Sequence, residues 1–177
     1  MTDKKLVWWQ IGGFVFSVIF GSLFHFIYQW SGNNIFTAAF SAVNESTWEH
    51  MKILFFPTFI FALAQSFLMK GEKNFWGVKL IGILTAIFLI PVLFYTLNGI
   101  FGKTPAWVNI ALFILSALIG FMLEFFIFKK QTRDYKASFL GFFGLCITAL
   151  LFIIFTFSPP KIPLFLDPLT NFYGIKA

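Results

Sequence analysis

Ser41-Ala42-Val43-Asn44-Glu45-Ser46-Thr47-Trp48-Glu49-His50 is a polar stretch between long apolar runs, and those flanks decide the fold. One run extends from about Leu6 to Trp30, and another from inside the stretch to near Met69. Some twenty apolar residues suffice to cross the hydrocarbon core of a bilayer as a helix. Composition agrees: 59% of the chain is hydrophobic and 11% charged, against about a quarter charged in soluble domains. A soluble fold of 177 residues has no means of covering so much apolar surface, whereas lipid removes the need. The net charge of +6 does not point to nucleic acid, because the basic residues sit beside apolar spans and read as topology signals. The partner is the lipid bilayer. Cys146 is the single cysteine, so an internal disulfide is impossible.

Working outward, the sequence predicts a single all-α membrane domain over 1–177. It is a bundle of five transmembrane helices at about 6–30, 47–69, 76–97, 106–128 and 137–157. The first run continues to Trp30 without a small-residue cleavage pattern and is therefore read as a span, not a signal peptide. Residues 35–43 are too short and mixed to cross, and predict an interfacial helix before span 2. Pro57 and Pro91 each remove a backbone donor within a span and predict kinks. The tail, 158–177, carries prolines at 159, 160, 163 and 168 and is no sixth span.

Five spans put the two ends on opposite sides. With the N-terminus in the cytoplasm, Lys4, Lys5, Lys70, Lys73, Lys79, Lys129, Lys130, Arg133 and Lys136 lie inside, and Lys52, Lys103, Lys161 and Lys176 outside. That imbalance predicts the orientation in a cell membrane. The polar stretch, the loop after Asn98 and the proline-rich tail then share the outer face.

On that face the spacing assembles a candidate ligand site. Gly13, Ser17, Gly21, His25 and Gln29 recur every four residues along span 1, with small residues at one end and polar ones at the other. His25 stands about one turn from the outer end of span 1, and His50 about one turn into span 2. Two histidines with Glu45 or Glu49 make a donor set suited to a divalent metal, with Asp167 as a further ligand; in the plainer reading the histidines are interhelical hydrogen-bonding contacts. Ser46-Thr47-Trp48-Glu49 has capping-box spacing, which accounts for Glu49 at a helix start. Glu45 and Glu49 are four apart and repel on a shared face unless a cation such as Lys52 intervenes. Asn44, Tyr95 and Asn98 complete the polar lining. Asp167, Asn171 and Tyr173 are read as a lid folding back over the cleft, although Asp167-Pro168 also suits a helix start. Trp30, Trp48, Trp107 and Tyr95 suit an interfacial aromatic belt. Glu124 is expected to snorkel towards Lys129 or Lys130, and Gln10 and Gln65 to bond between helices.

The stretch Phe40-Ser41-Ala42-Val43-Asn44-Glu45-Ser46-Thr47-Trp48-Glu49-His50-Met51-Lys52, with Leu54-Phe55-Phe56-Pro57 and the closing Ile162-Pro163-Leu164-Phe165-Leu166-Asp167-Pro168 and Tyr173-Gly174, resembles a family of small bacterial multi-pass membrane proteins of uncharacterised activity. The resemblance covers nearly the whole chain and implies a bacterial cytoplasmic-membrane location and a pairing of the polar stretch with the tail. It implies no chemistry. Three readings follow from the residues. The first is capture or transport of a small molecule or ion in an outward cleft, with a homo-oligomer or membrane partner supplying what five spans lack. The second is an embedded, metal-dependent enzyme acting on a lipid-type substrate, and the third a structural or assembly factor.

Overall fold

The computed structural model describes residues 3–69, 74–130 and 135–175. They form α1 (Asp3–Trp30), α2 (Ile35–Ala38), α3 (Thr47–Leu68), α4 (Phe75–Phe101), α5 (Ala106–Lys130), α6 (Tyr135–Phe157) and a 3-10 turn at Pro163–Phe165. The five long helices are each apolar and long enough to cross a membrane. Helices are the natural solution there, because they satisfy their backbone polar groups internally. The predicted bundle of five helices is thus what the chain forms, and the helices overrun the predicted ends of spans 1, 3, 4 and 5. Of the charges used for orientation, Lys70, Lys73, Arg133 and Lys176 lie outside the described residues.

The chain alternates direction through the bundle. Gly21 of α1 lies against Ile53 of α3, and Gly13 against Phe61, so these helices are antiparallel. Gly120 of α5 meets Ala86 of α4 and Glu124 meets Gly82, again antiparallel, while Trp76 near the start of α4 packs against Phe142 near the start of α6, which makes those two parallel. One end, hereafter the site end, therefore holds Trp30, Thr47, Phe101, Ala106 and Phe157. The opposite end holds Asp3, Leu68, Phe75 and Lys130.

Helix α3 is the most buried of the five, flanked by α1, α4 and α6. Its Ile53, Leu54 and Phe55 join Ile83, Ile87, Ala117, Leu145 and Phe152 in the main core. The small residues of α1 work as their spacing predicts: a side chain at Gly21 would meet the Phe113 ring at 2.7 Å and the Ile53 carbonyl at 3.0 Å, so glycine sets the approach of three helices. Both proline-containing helices run unbroken through Pro57 and Pro91.

The interfacial helix is shorter than predicted. Only Ile35–Ala38 is helical, capped by Asn34, whose side chain accepts from Phe36 N at 2.8 Å. The chain then turns back, because Ser41 Oγ donates to Thr37 O at 2.7 Å and Ala42 N to Phe24 O at 3.1 Å. That turn lays the polar stretch across α1. The tail folds over the same end: Phe165 is buried, with its ring 4.6 Å from Trp48 and 5.6 Å from Phe155.

Candidate functional site

Three side chains from three segments converge at the site end. His25 comes from α1, His50 from the first turn of α3, and Glu45 from the loop just before that helix. Glu45 Oε2 lies 3.4 Å from His25 Nε2 and 3.7 Å from His50 Nε2. The imidazole centroids are 5.4 Å apart with planes at 70°. One ligand atom from each residue lies within 4.8 Å of the others, and all three residues are half-buried.

Local chemistry fixes this arrangement. Ser46 is the N-cap of α3, its side chain accepting from Glu49 N at 3.4 Å. Asn44 Oδ1 accepts from Ser46 N at 2.9 Å, the side-chain turn typical of asparagine, which leaves Glu45 at the apex with its carboxylate towards α1. His50 Nδ1 lies 2.9 Å from the Ser46 carbonyl oxygen. A carbonyl only accepts, so Nδ1 carries the proton, and in the neutral ring Nε2 is the nitrogen left free on the Glu45 side. A backbone carbonyl orienting the far nitrogen in this way is a recurrent feature of metal-ligating histidines. The hydrogen bond from His25 holds the Glu45 carboxyl below the usual carboxylate range, against a smaller opposing push from burial.

Glu45 and Glu49 would share a helix face only if the helix started early, and it begins after Glu45. Each carboxylate has its own cation or imidazoles. Glu49 is buried, accepts from Val43 N at 3.1 Å, and pairs with Lys52 Nζ at 2.5 Å. Only half of the capping box therefore forms; Asn44 replaces Glu49 as the acceptor for Ser46 N. Lys52 is fully buried and also donates to Ala38 O at 2.9 Å and Thr156 Oγ1 at 2.8 Å. It ties together α3, the α2 turn and α6.

The remaining predicted residues lie elsewhere. Gln29 is exposed, because each four-residue step overshoots a full turn by about 40° and the stripe has rotated away by then. Asn98 closes its own loop, donating to Phe94 O at 2.8 Å and accepting from Thr104 N at 2.9 Å. Tyr95 is exposed beside Phe94. Asp167 starts a turn, not a helix: Oδ1 accepts from Leu169 N at 2.8 Å and Oδ2 from Thr170 Oγ1 at 2.7 Å. With both oxygens so engaged, Asp167 stands outside the His25–Glu45–His50 group. Tyr173 pairs with Leu166 across that turn. Asn44 adds a hydrogen bond between stretch and tail, its Nδ2 donating to Gly174 O at 2.9 Å. Trp48 is no belt residue; it is wedged between Phe152 and Phe165 at 4.6 Å from each.

Glu124 does not snorkel. It is buried and bonds Lys79 of α4 at 2.6 Å, the lysine being fully buried too. Sequence reasoning took Lys79 for a topology charge. The available signal was that Lys79 and Glu124 are the lone charges well inside their apolar runs, at matching distances from the same end; such residues pair.

With this geometry in place, comparison with known proteins identifies the lineage. The chain belongs to DUF6512, a family of unknown function. The family model matches residues 1–175, nearly the whole chain. No curated protein and no solved structure matches it, so what this DUF6512 member does has to be read from its own residues.

Proposed function

We propose that this membrane protein binds a divalent transition-metal ion through His25, Glu45 and His50, and captures a small ligand at the coordination position left over. The carrying observation is the carboxylate oxygen 3.4 and 3.7 Å from two imidazole nitrogens. In a tetrahedral site with bonds near 2.1 Å, neighbouring ligand atoms are about 3.4 Å apart. Two of the three donor–donor edges already stand close to that length, and the third is within 4.8 Å. Two nitrogens and one carboxylate oxygen suit zinc and its neighbours, and three protein ligands leave room for water or a solute. Asp167 is left out because its carboxylate is used in its own turn.

The charge imbalance supports an outer-face location. Lys52 and Lys79 are buried and leave the surface tally, but one is lost from each side and the excess at the opposite end persists. The reading is tested by metal analysis and zinc calorimetry on detergent-purified wild type, His25→Ala, His50→Ala and Glu45→Gln. Wild type is expected to bind zinc stoichiometrically. Each variant is expected to lose more than the about 10–100-fold that loss of an outer hydrogen-bond partner costs. Equal zinc binding by all four proteins sinks the reading.

A further inference from the structure

Near the opposite end, four helices each contribute one polar side chain to a single layer. Lys79 of α4 and Glu124 of α5 form the ion pair at 2.6 Å. Gln10 of α1 faces the Glu124 carboxylate, and Gln65 of α3 belongs to the same layer by register. Its neighbour one turn towards the site end, Phe61, packs on Gly13 of α1, and its neighbour one turn the other way, Met69, packs with Leu6, Phe75 and Phe128.

That register closes the layer. Leu6, Met69, Phe75 and Phe128 each lie four residues from Gln10, Gln65, Lys79 and Glu124 respectively, so one apolar floor underlies all four. They are at most 8% exposed. Above, a side chain at Gly13 would meet Phe121 at 2.6 Å and Phe61 at 2.7 Å, so the roof is equally tight.

Inside, the hydrogen-bond inventory does not balance. Gln10 is 6% exposed and Gln65 fully buried, yet among the described residues neither amide has a partner at ordinary hydrogen-bond distance, Gln10 making only a looser contact with the Glu124 carboxylate. Buried amides far from water are strongly disfavoured unless bonded, most of all in a membrane. The ion pair is electrically neutral, and the free valences comprise donors and acceptors alike. A bare cation finds no net negative charge here and an anion no net positive charge.

We propose that Gln10, Gln65, Lys79 and Glu124 form a second, occluded binding site whose ligand is a small uncharged molecule that both donates and accepts hydrogen bonds, namely ordered water. A buried water typically makes about three hydrogen bonds and needs at least two polar partners; two amides beside an ion pair provide them. The site is independent of the metal site, from which it is separated by most of the bundle's length.

The test uses the intact protein and the double variant Gln10→Met/Gln65→Met, which keeps side-chain length and removes the four amide atoms. Melting in detergent is measured together with radiolytic hydroxyl labelling in oxygen-18 water, which marks residues beside trapped water. The site predicts labelling of Met69 and Phe128 in wild type, loss of that labelling in the variant, and a lower melting temperature because the ion pair loses its hydration. A melting temperature that stays or rises overturns the proposal, since dry unpartnered amides are better replaced by thioethers. So does an unlabelled floor in wild type, a result that needs no variant to fold.

Discussion

Replacing Lys52 by methionine tests the polar knot behind the His25–Glu45–His50 cluster. The side chain is fully buried, and all three ammonium hydrogens are used: on Glu49 at 2.5 Å, on Ala38 O and on Thr156 Oγ1. Methionine keeps most of the chain length but takes the cation from the Glu49 carboxylate, leaving it Val43 N and the neutral Thr156 hydroxyl. Breaking a buried pair from one side costs about 3–5 kcal/mol, mainly because an uncompensated charge is left behind. Removing both charges does not leave that charge, so Glu49→Gln/Lys52→Met is expected to recover about 2 kcal/mol relative to the sum of the single losses. Reversible unfolding in mixed micelles, followed by tryptophan fluorescence, measures all four corners of the cycle. A Lys52→Met loss under about 1 kcal/mol, or a double variant equal to the sum of the singles, would refute the reasoning.

Three further outcomes follow from the geometry. Because the folded Glu45 carboxyl titrates below its ordinary value of 4.5, its contribution to stability is complete above that value and disappears as pH falls through the lower folded one. Wild type should therefore lose stability on acidification through this range more steeply than Glu45→Gln, which melting curves at stepped pH will show. Asn44→Ala removes two hydrogen bonds, about 1–3 kcal/mol in all, and should speed proteolytic cleavage in the tail while leaving the helices intact. Gly82→Ala puts a methyl group against the Glu124 side chain; overpacking of this kind costs about 1–3 kcal/mol, and thermal melting should register it.

The five helices were legible because lipid imposes one pattern, some twenty apolar residues between polar interruptions, and this chain follows it. Helix ends were less so, since α4 and α5 run on past the apolar stretches to Phe101 and Lys130. His25, Glu45 and His50 could be placed together from depth alone, because one turn from the end of span 1 and one turn into span 2 are the same height. Gln29 and Asn98 shared that height but not the angle or the freedom: one had rotated away with the helix period and the other was consumed by its own loop. The Lys79–Glu124 pair was missed because flanking lysines normally reach the headgroups, and only the distance of Lys79 inside its apolar run spoke against that. The role of Asn44 depended on where Gly174, 130 residues later, comes to rest, which no local pattern encodes.

That long-range bond makes tail and site partners in a reciprocal exchange. One amide holds Gly174 through its nitrogen and the turn presenting Glu45 through its oxygen. Under the proposed function, an ion that steadies Glu45 also steadies the tail, and by linkage anything that pulls the tail away weakens that binding by the same factor. A partner gripping the C-terminal segment would thus act as a release handle for the site without touching a single ligand atom.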